Sequence, residues 1–202
     1  MDRRHKAIVC PTGADVITIL DYGAGNLRSV QNTLAALNCE YALANTADAL
    51  RAATKILLPG VGHFGQMMRA LDAMRVRDAL IERIRAGVPF FGICLGMQAL
   101  FERSEEAPEV YGLGLYSGEV HRFPLDARVP HMGWNQLDPT GRHVYFAHSF
   151  YVPECAQTSA ACEYAGVRFT AMLKSGNVQG VQFHPEKSAA VGLAIVREFL
   201  EC

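Results

Sequence analysis

The stretch PFFGICLGMQ, residues 89–98, places Cys94 between two glycines directly after a short apolar run. This run predicts a strand buried on both faces, and the residues after Cys94 predict a helix. A sharp turn from strand to helix strains the turn residue, and Gly92 and Gly96 remove the side chains that would clash there. Cys94 is therefore either a buried structural thiol in a glycine-rich turn or a nucleophile at a helix N-terminus, where the helix dipole favours a thiolate.

Short apolar runs and helical patterns alternate along the first half of the chain. The predicted strands are VITIL (16–20), KILL (55–58) and PFFGI (89–93). The first predicted helix begins at residue 26 and ends at Asn38, which would be its left-handed cap. The second extends over 66–86 and ends before Gly87, and the third covers LGMQALF (95–101). This alternation favours a doubly wound parallel sheet.

The second half has a different pattern, in which strand-like runs follow one another after about residue 110 without a long helix between them. They predict a smaller region of mixed or antiparallel strands, and a final amphipathic helix carries Val191, Ile195 and Phe199 on one face. We therefore expect an α/β fold with a doubly wound, mainly parallel sheet flanked by helices. Residues 1–15 show no periodicity and are interpreted as a flexible extension to a single domain over 16–202.

The composition argues against several classes of function. The 202 residues carry a formal net charge of −1 and half of them are hydrophobic, which offers no basic field for nucleic acid or an anionic membrane. No apolar run reaches the roughly eighteen residues of a membrane span, and the charged start leads into no signal-peptide core, so we expect a cytosolic protein. The six cysteines lack the paired spacing of a zinc site and are expected to be mainly reduced thiols.

The stretch VQFHPEKS, residues 181–188, offers a partner for a reactive cysteine. His184 and Glu186 are two residues apart, so in an extended segment their side chains point the same way. A carboxylate beside an imidazole orients it and supports its positive charge, while the imidazole takes a thiol proton. Taken alone, a histidine in a loop is more often a surface or capping residue than a catalytic one. The order of cysteine, histidine and then an acid two residues later is more specific than either piece.

The stretch LLPGVGHFG, residues 57–65, adds a third component. Its glycines let the backbone approach a ligand, and the peptide between Gly60 and Val61 could direct an N–H at an oxyanion. The backbone N–H of Leu95, next to Cys94, could supply a second donor. Taken alone, the stretch is also compatible with an ordinary turn between a strand and a helix.

In this order, the three segments resemble the class I, or triad, glutamine amidotransferase family. Further segments narrow the resemblance to the glutaminase subunits of imidazole glycerol phosphate synthase, an enzyme of histidine biosynthesis. They are DYGAGN (21–26), PHMGWN (130–135), YFAHSFY (145–151) and VQFHPEKS (181–188). The similarity extends from about Val16 to Leu200.

The resemblance implies a glutaminase in which Cys94 attacks the side-chain amide of L-glutamine and water resolves the thioester to glutamate. His184 would act as base and then as proton donor to departing ammonia, with Glu186 orienting it. The implied oxyanion hole consists of Gly60, Val61 and Leu95, and in this family the Gly60–Val61 peptide can need to flip before the hole is complete. The implied glutamine-binding residues are Gly62, Gln98, His148, Ser149 and Phe150, the last of which stands where a tyrosine is frequent.

The resemblance also implies a partner, a separate (β/α)₈ cyclase subunit that uses the ammonia to make imidazole glycerol phosphate and an aminoimidazole ribonucleotide. Asn26, Trp134 and Lys187 match family positions at or near the interface. Without the family, Asn26 is explained as a helix N-cap, Trp134 as a core residue and Lys187 as a solvated charge. The resemblance implies no metal or organic cofactor. Metal-ligand spacing is also lacking among His121, His131 and His143.

Three other functions are compatible with parts of the pattern. The chain could be the glutaminase of another synthase, against which PHMGWN and HPEKS argue. It could be a cysteine hydrolase on a related fold, although such enzymes usually carry the base closer to the turn than His184. It could also be a subunit that only scaffolds or regulates a cyclase, but such a chain would be expected to have lost Cys94, His184 or Glu186.

Overall fold

The computed structural model describes residues 16–23 and 26–201, so the extension predicted for 1–15 lies outside the described residues. A seven-stranded sheet forms the centre, with five neighbouring parallel strands and two antiparallel strands added at one edge. In sheet order the strands are β10 (Thr158–Tyr164), β11 (Val167–Ser175), β12 (Val178–Val181), β4 (Phe90–Cys94), β3 (Lys55–Gly60), β1 (Ile17–Leu20) and β2 (Tyr41–Ala44).

Helices cover both faces of this sheet. They are α1 (Leu27–Ala36), α2 (Ala47–Arg51), α3 (Phe64–Ala73), α4 (Arg77–Arg85), α5 (Leu95–Gln98) and α6 (Ala189–Leu200). One core cluster holds the buried side chains of α2, α3 and α4, and the other holds those of α1 and α6. The ring of Phe199 on α6 stacks on Phe91 of β4 at 5.0 Å. The predicted doubly wound α/β fold is therefore confirmed.

Two smaller sheets come from the second half of the chain. Strands β5 (Phe101–Ser104), β6 (Tyr116–Arg122) and β9 (Phe150–Tyr151) form one, and β7 (His131–Gln136) pairs antiparallel with β8 (His143–His148) in the other. The predicted mixed and antiparallel strands are thus present. The last three strands join the main sheet instead: β12 pairs parallel with β4, and β11 and β10 follow it antiparallel at the edge.

Two predicted helices have different bounds from those expected. The helix over 66–86 is in fact α3 and α4, separated at Arg75, which adopts a left-handed conformation with φ of 56°. The Val76 amide then bonds back to the Leu71 carbonyl and closes α3 without a glycine. The helix after Cys94 ends at Gln98 because Phe101 already begins β5.

The register of the parallel strands brings three strand ends together. Gly60 at the end of β3 lies opposite Cys94 at the end of β4, and Val181 at the end of β12 lies opposite Ile93. Segments that follow these strands therefore meet at the carboxyl edge of the sheet, where open α/β sheets bind ligands. Within the described residues, no helix is long and apolar enough to cross a membrane.

Candidate active site

Cys94 occupies a strained turn between β4 and α5. Its φ of 52° and ψ of −108° are unusual for a residue with a side chain. A Cβ atom on Gly92 would lie 2.6 Å from the Gly96 carbonyl oxygen, and one on Gly96 would overlap the Leu58 carbonyl of β3. Both glycines are therefore required by close backbone approach, and this arrangement presents the Cys94 side chain at the tip of the turn.

His184 and Glu186 lie in the segment that follows β12, beside this turn. Glu186 belongs to a short 3₁₀ helix, Pro185–Lys187, and its Oε1 lies 2.8 Å from Nδ1 of His184. Because Nδ1 faces the carboxylate, Nε2 remains for the hydrogen bond between His184 and Cys94. The Ser188 hydroxyl donates to the His184 carbonyl at 2.7 Å, which fixes the backbone of the segment.

The surroundings of His184 favour its protonated form. Burial by itself would lower the pKa of His184, but hydrogen bonds and charges of Cys94 and Glu186 outweigh burial and raise it to about 10. Burial alone would raise the pKa of Glu186, yet the hydrogen bond and charge of His184 hold it below its usual range. The site therefore holds an imidazolium between an anionic carboxylate and the Cys94 sulfur.

Asn26 contacts this array from the start of α1. Its Nδ2 donates to Glu186 Oε1 at 3.1 Å, and its Oδ1 accepts a bond from the Ser29 hydroxyl at 2.6 Å. Asn26 makes no side-chain capping bond to α1, contrary to its simplest explanation from the sequence. It instead fixes the carboxylate that orients His184.

The predicted substrate residues line one cavity beside Cys94. This cavity is bordered by Gly62, Gln98, His148, Ser149 and Phe150, together with His184. Phe150 contributes its carbonyl, which accepts a hydrogen bond from Gln98 Nε2 at 2.9 Å. Burial lowers the pKa of His148 to about 3, so its ring is neutral, and its Nδ1 lies 2.8 Å from the Phe150 carbonyl.

The predicted oxyanion donors lie at the same edge. Leu95 begins α5, so its amide has no acceptor within the helix. A Cβ atom on Gly60 would lie 2.5 Å from the Gly96 amide, which shows how closely β3 approaches the turn. The backbone of Val61 lines the cavity and also faces the buried hydroxyl of Tyr22, whose pKa burial raises to about 12.

Two residues at the site were not found from the sequence. Gln182 is fully buried and its Nε2 lies 3.4 Å from Cys94 Sγ. Its spacing of two from His184 in an extended segment is the signal that could have revealed it. Glu106 borders the cavity and accepts a hydrogen bond from the Phe64 amide at 2.7 Å. It comes from a loop after β5, and no local pattern marks it.

The remaining described cysteines lie apart from the cavity. Cys39 and Cys155 are partly exposed, and Cys162 is buried. Burial raises the pKa of Cys162 to about 12, so this thiol stays protonated. Cys94 is therefore the cysteine that the described part of the chain presents to a substrate.

An exposed aromatic surface lies beside the active-site segment. Trp134 on β7 is 54% exposed and its ring meets Tyr145 of β8 at 6.2 Å. The Lys187 ammonium lies 5.6 Å from the centre of the same Tyr145 ring, and Met132 is 64% exposed on β7. We call Met132, Trp134, Tyr145 and Lys187 the aromatic face. It joins two of the three predicted interface residues, while Asn26 lies inward against Glu186.

Comparisons with known proteins identify the family to which the chain belongs. The sequence model of the family described as Glutamine amidotransferase class-I matches residues 18–201. The chain is 47% identical over 185 residues to the imidazole glycerol phosphate synthase subunit HisH of Thermus thermophilus, covering 88% of this chain and 93% of the relative. It is 42% identical to the chloroplastic imidazole glycerol phosphate synthase hisHF of Arabidopsis thaliana, covering 94% of this chain and 34% of that protein.

Solved structures support the fold independently. A crystal structure titled glutamine amidotransferase superposes with a TM-score of 0.74 at 21% identity, covering 92% of this chain and 97% of the other. At this identity the likeness concerns the fold alone. The chain belongs to the class I glutamine amidotransferase family and, within it, to the family of the HisH subunits of imidazole glycerol phosphate synthase.

Proposed function

We propose that the chain is the glutaminase subunit of an imidazole glycerol phosphate synthase, which hydrolyses L-glutamine and delivers ammonia to a cyclase subunit. The proposal rests on one observation, the array of Cys94, His184 and Glu186. Cys94 and His184 border a cavity that is lined by twelve residues. A scaffolding subunit would need none of these contacts.

The first half of the reaction forms a thioester. The Cys94 sulfur attacks the side-chain amide carbon of glutamine, and the amide oxygen becomes an oxyanion that accepts a hydrogen bond from the Leu95 amide. The Val61 amide, which faces the Tyr22 hydroxyl in this structure, becomes the second donor when the Gly60–Val61 peptide flips. His184, protonated because its pKa is about 10, gives its proton to the amide nitrogen. Ammonia leaves and the acyl group remains on sulfur.

The second half regenerates the enzyme. His184, now neutral, takes a proton from water, and the resulting hydroxide attacks the thioester carbon. The tetrahedral intermediate expels the Cys94 thiolate, glutamate is released, and His184 keeps the proton. Glu186 stays ionised throughout and holds the imidazole by its Nδ1.

Polar groups around the cavity suit an amino acid substrate. Glu106 supplies a carboxylate for the α-ammonium group of glutamine, and the Phe64 amide holds that carboxylate in place. Both N–H groups of Gln98 are occupied by the Phe150 carbonyl and Gln182, so its Oε1 is the atom left to accept a bond from substrate. Gly62, His148 and Ser149 complete the predicted binding residues, and the exposed backbone of Gly62 can approach the substrate closely.

The aromatic face is the proposed docking surface for the cyclase, a (β/α)₈ barrel. An exposed tryptophan beside a methionine and a lysine-capped tyrosine has the composition typical of the centre of a protein interface. Asn26 bonds to Glu186, which directly precedes Lys187 of the aromatic face in the chain. A cytoplasmic location is part of the proposal, because the reactive thiol requires a reducing compartment.

The test measures glutamate released from glutamine by the purified chain, alone and mixed with a cyclase subunit that carries its nucleotide substrate. We expect little release alone and a large rise in the mixture. Cys94→Ser should abolish release in both, and Trp134→Ala should lower the stimulation. Tyr41→Ala, an exposed aromatic at the amino end of the edge strand β2, is the matched control and should change neither.

Two outcomes would contradict the proposal. Full activity without a cyclase would indicate an independent glutaminase or a different synthase. Undiminished release by Cys94→Ser would remove the thioester mechanism itself, whatever the partner.

A further inference from the structure

Gln182 lies directly behind the reactive sulfur, and the mechanism above gives it no task. Its side chain is fully buried, and its Nε2 is 3.4 Å from Cys94 Sγ. Its backbone amide bonds to the Ala171 carbonyl of β11, so the residue is held by the main sheet. A buried amide is stable in a core only when its polar atoms have partners, and here one partner is the sulfur.

The orientation of the Gln182 amide follows from a chain of contacts that begins at a carbonyl. The Phe150 carbonyl can only accept, so the Gln98 atom 2.9 Å from it must be Nε2. The same Nε2 lies 2.9 Å from the Gln182 amide, whose atom at that position must be the oxygen. The other end of the Gln182 amide is therefore its NH₂ group, and it faces Sγ as a donor.

We propose that Gln182 is a further catalytic residue of the glutaminase, which stabilises the Cys94 thiolate by donating a hydrogen bond to its sulfur. Hydrogen bonds to ionised acceptors are about twice as strong as those between neutral groups, so this contact is strongest when the sulfur is anionic. It favours the thiolate before attack and again when the thioester is hydrolysed and the sulfur leaves. The proposal deepens the proposed function and rests on it for the reaction that Cys94 performs.

The test is the alkylation rate of Cys94 by iodoacetamide in the chain alone, followed by mass spectrometry of the peptide that contains Cys94. We expect Gln182→Met, which keeps the length of the side chain but removes the donor, to slow alkylation at pH 7 by about tenfold. Above about pH 10, where thiols ionise without assistance, the rates of wild type and variant should converge. In the cyclase-stimulated reaction the loss should appear mainly in kcat.

Two further variants complete the design. Gln157→Met is the same substitution on the partly exposed segment before β10, outside the cavity, and should alkylate at the wild-type rate. Gln98→Met removes the contact that orients the Gln182 amide and should slow alkylation less than Gln182→Met does. If Gln182→Met fails to fold by circular dichroism, the Gln98 variant carries the test.

Three outcomes would overturn the proposal. The first is a wild-type alkylation rate in folded Gln182→Met. The second is a slowing of equal size at every pH, because that result indicates lost access to the sulfur. The third applies if Gln182→Met is unfolded, and is a wild-type alkylation rate in Gln98→Met. Alkylation requires neither glutamine nor a cyclase. Slow alkylation of Gln182→Met in a chain that no cyclase stimulates would therefore leave this proposal standing while the synthase assignment fails.

Discussion

His184 is the residue whose charge state decides how the reaction starts. A histidine as buried as this one normally loses its proton, because burial disfavours the charged form. Here Glu186 on one ring nitrogen and Cys94 on the other supply more stabilisation than burial removes. Three residues that are individually unremarkable in the sequence therefore form a proton donor only when the fold brings them together.

The first prediction concerns the origin of this shift. In Cys94→Ala both contributions of the sulfur to the pKa of His184 disappear, so we expect the titration midpoint of the His184 ring to fall by about one to three pH units from about 10. Nuclear magnetic resonance of the ring nitrogens would measure the midpoint in both proteins. Cys155→Ala, which removes a thiol outside the cavity, is the control and should leave the midpoint unchanged. A wild-type midpoint near 6.5 would contradict the charged array.

Among the elements, the pairing of β3 with the start of α5 determines the shape of the site. The helix begins so close to the strand that Gly60 and Gly96 touch backbone atoms of each other's segments. This approach holds Cys94 in its strained turn and brings Val61 to the cavity. The helix itself has four residues, so its dipole contributes less to the site than the longer helix expected from the sequence would.

The second prediction tests this contact. A methyl group on Gly96 would overlap the Leu58 carbonyl, so we expect Gly96→Ala to lower the free energy of unfolding by more than about 3 kcal/mol or to prevent folding. Gly166→Ala is the control, because Gly166 has open space around its Cα and only its positive φ, 72°, opposes a side chain there. There the cost should be about 1 to 2 kcal/mol. Urea unfolding measures both, and equal losses in the two variants would contradict the close approach.

The elements that could be predicted from the sequence are those with a local signal. Buried parallel strands are continuous apolar runs, and β3 and β4 were found that way. Strand β2 was missed because it is an edge strand whose first three residues are exposed, so YALA shows no buried pattern. The break between α3 and α4 was missed because Arg75 takes a conformation that glycine or asparagine usually marks.

The candidate site divides in the same way. Cys94 is recognisable because it stands in a turn between two glycines. His184 and Glu186 are recognisable because they are two residues apart in an extended segment. Glu106 and the relation between Gln182 and Cys94 depend on how β12, β4 and the loop after β5 meet in space. Such contacts between distant segments have no counterpart in local sequence.

Across the whole molecule, one hydrogen-bonded series connects β7, the strand that carries Met132 and Trp134 of the aromatic face, to the reactive sulfur. On β7, the strand that exposes Trp134, His131 lies 3.0 Å from the ring of His148. His148 bonds to the Phe150 carbonyl, which also accepts from Gln98. From there the series continues through Gln182 to Cys94. The two histidines at its start are buried and have no carboxylate partner among the residues that the structure describes. Burial lowers the pKa of His131 to about 4 and that of His148 to about 3.

These neutral histidines predict how stability depends on pH. Both have native pKa values below the value of about 6.5 expected in the unfolded chain, so the unfolded state binds more protons as the pH falls. The contribution of these two histidines to the free energy of unfolding should therefore be fully retained above about pH 6.5 and decrease toward pH 4. By pH 5 the pair should have cost about 4 kcal/mol. The nearby positive charge of His184 acts in the same direction on His148.

Urea unfolding between pH 5 and 7 measures the effect in wild type and His131→Gln. The variant loses one of the two histidines, so its free energy of unfolding should fall less steeply as the pH falls. The difference between the wild-type and variant slopes should be about one proton, or about 1.4 kcal/mol per pH unit. It should also be less stable at pH 7, because His131 stacks on Tyr164 at 4.0 Å and bonds to His148. His143→Gln, an exposed histidine on β8, is the matched control and should follow the wild-type slope. Equal slopes in wild type and His131→Gln would mean that His131 is not held neutral by the fold, and the acid sensitivity would then have to come from carboxylates.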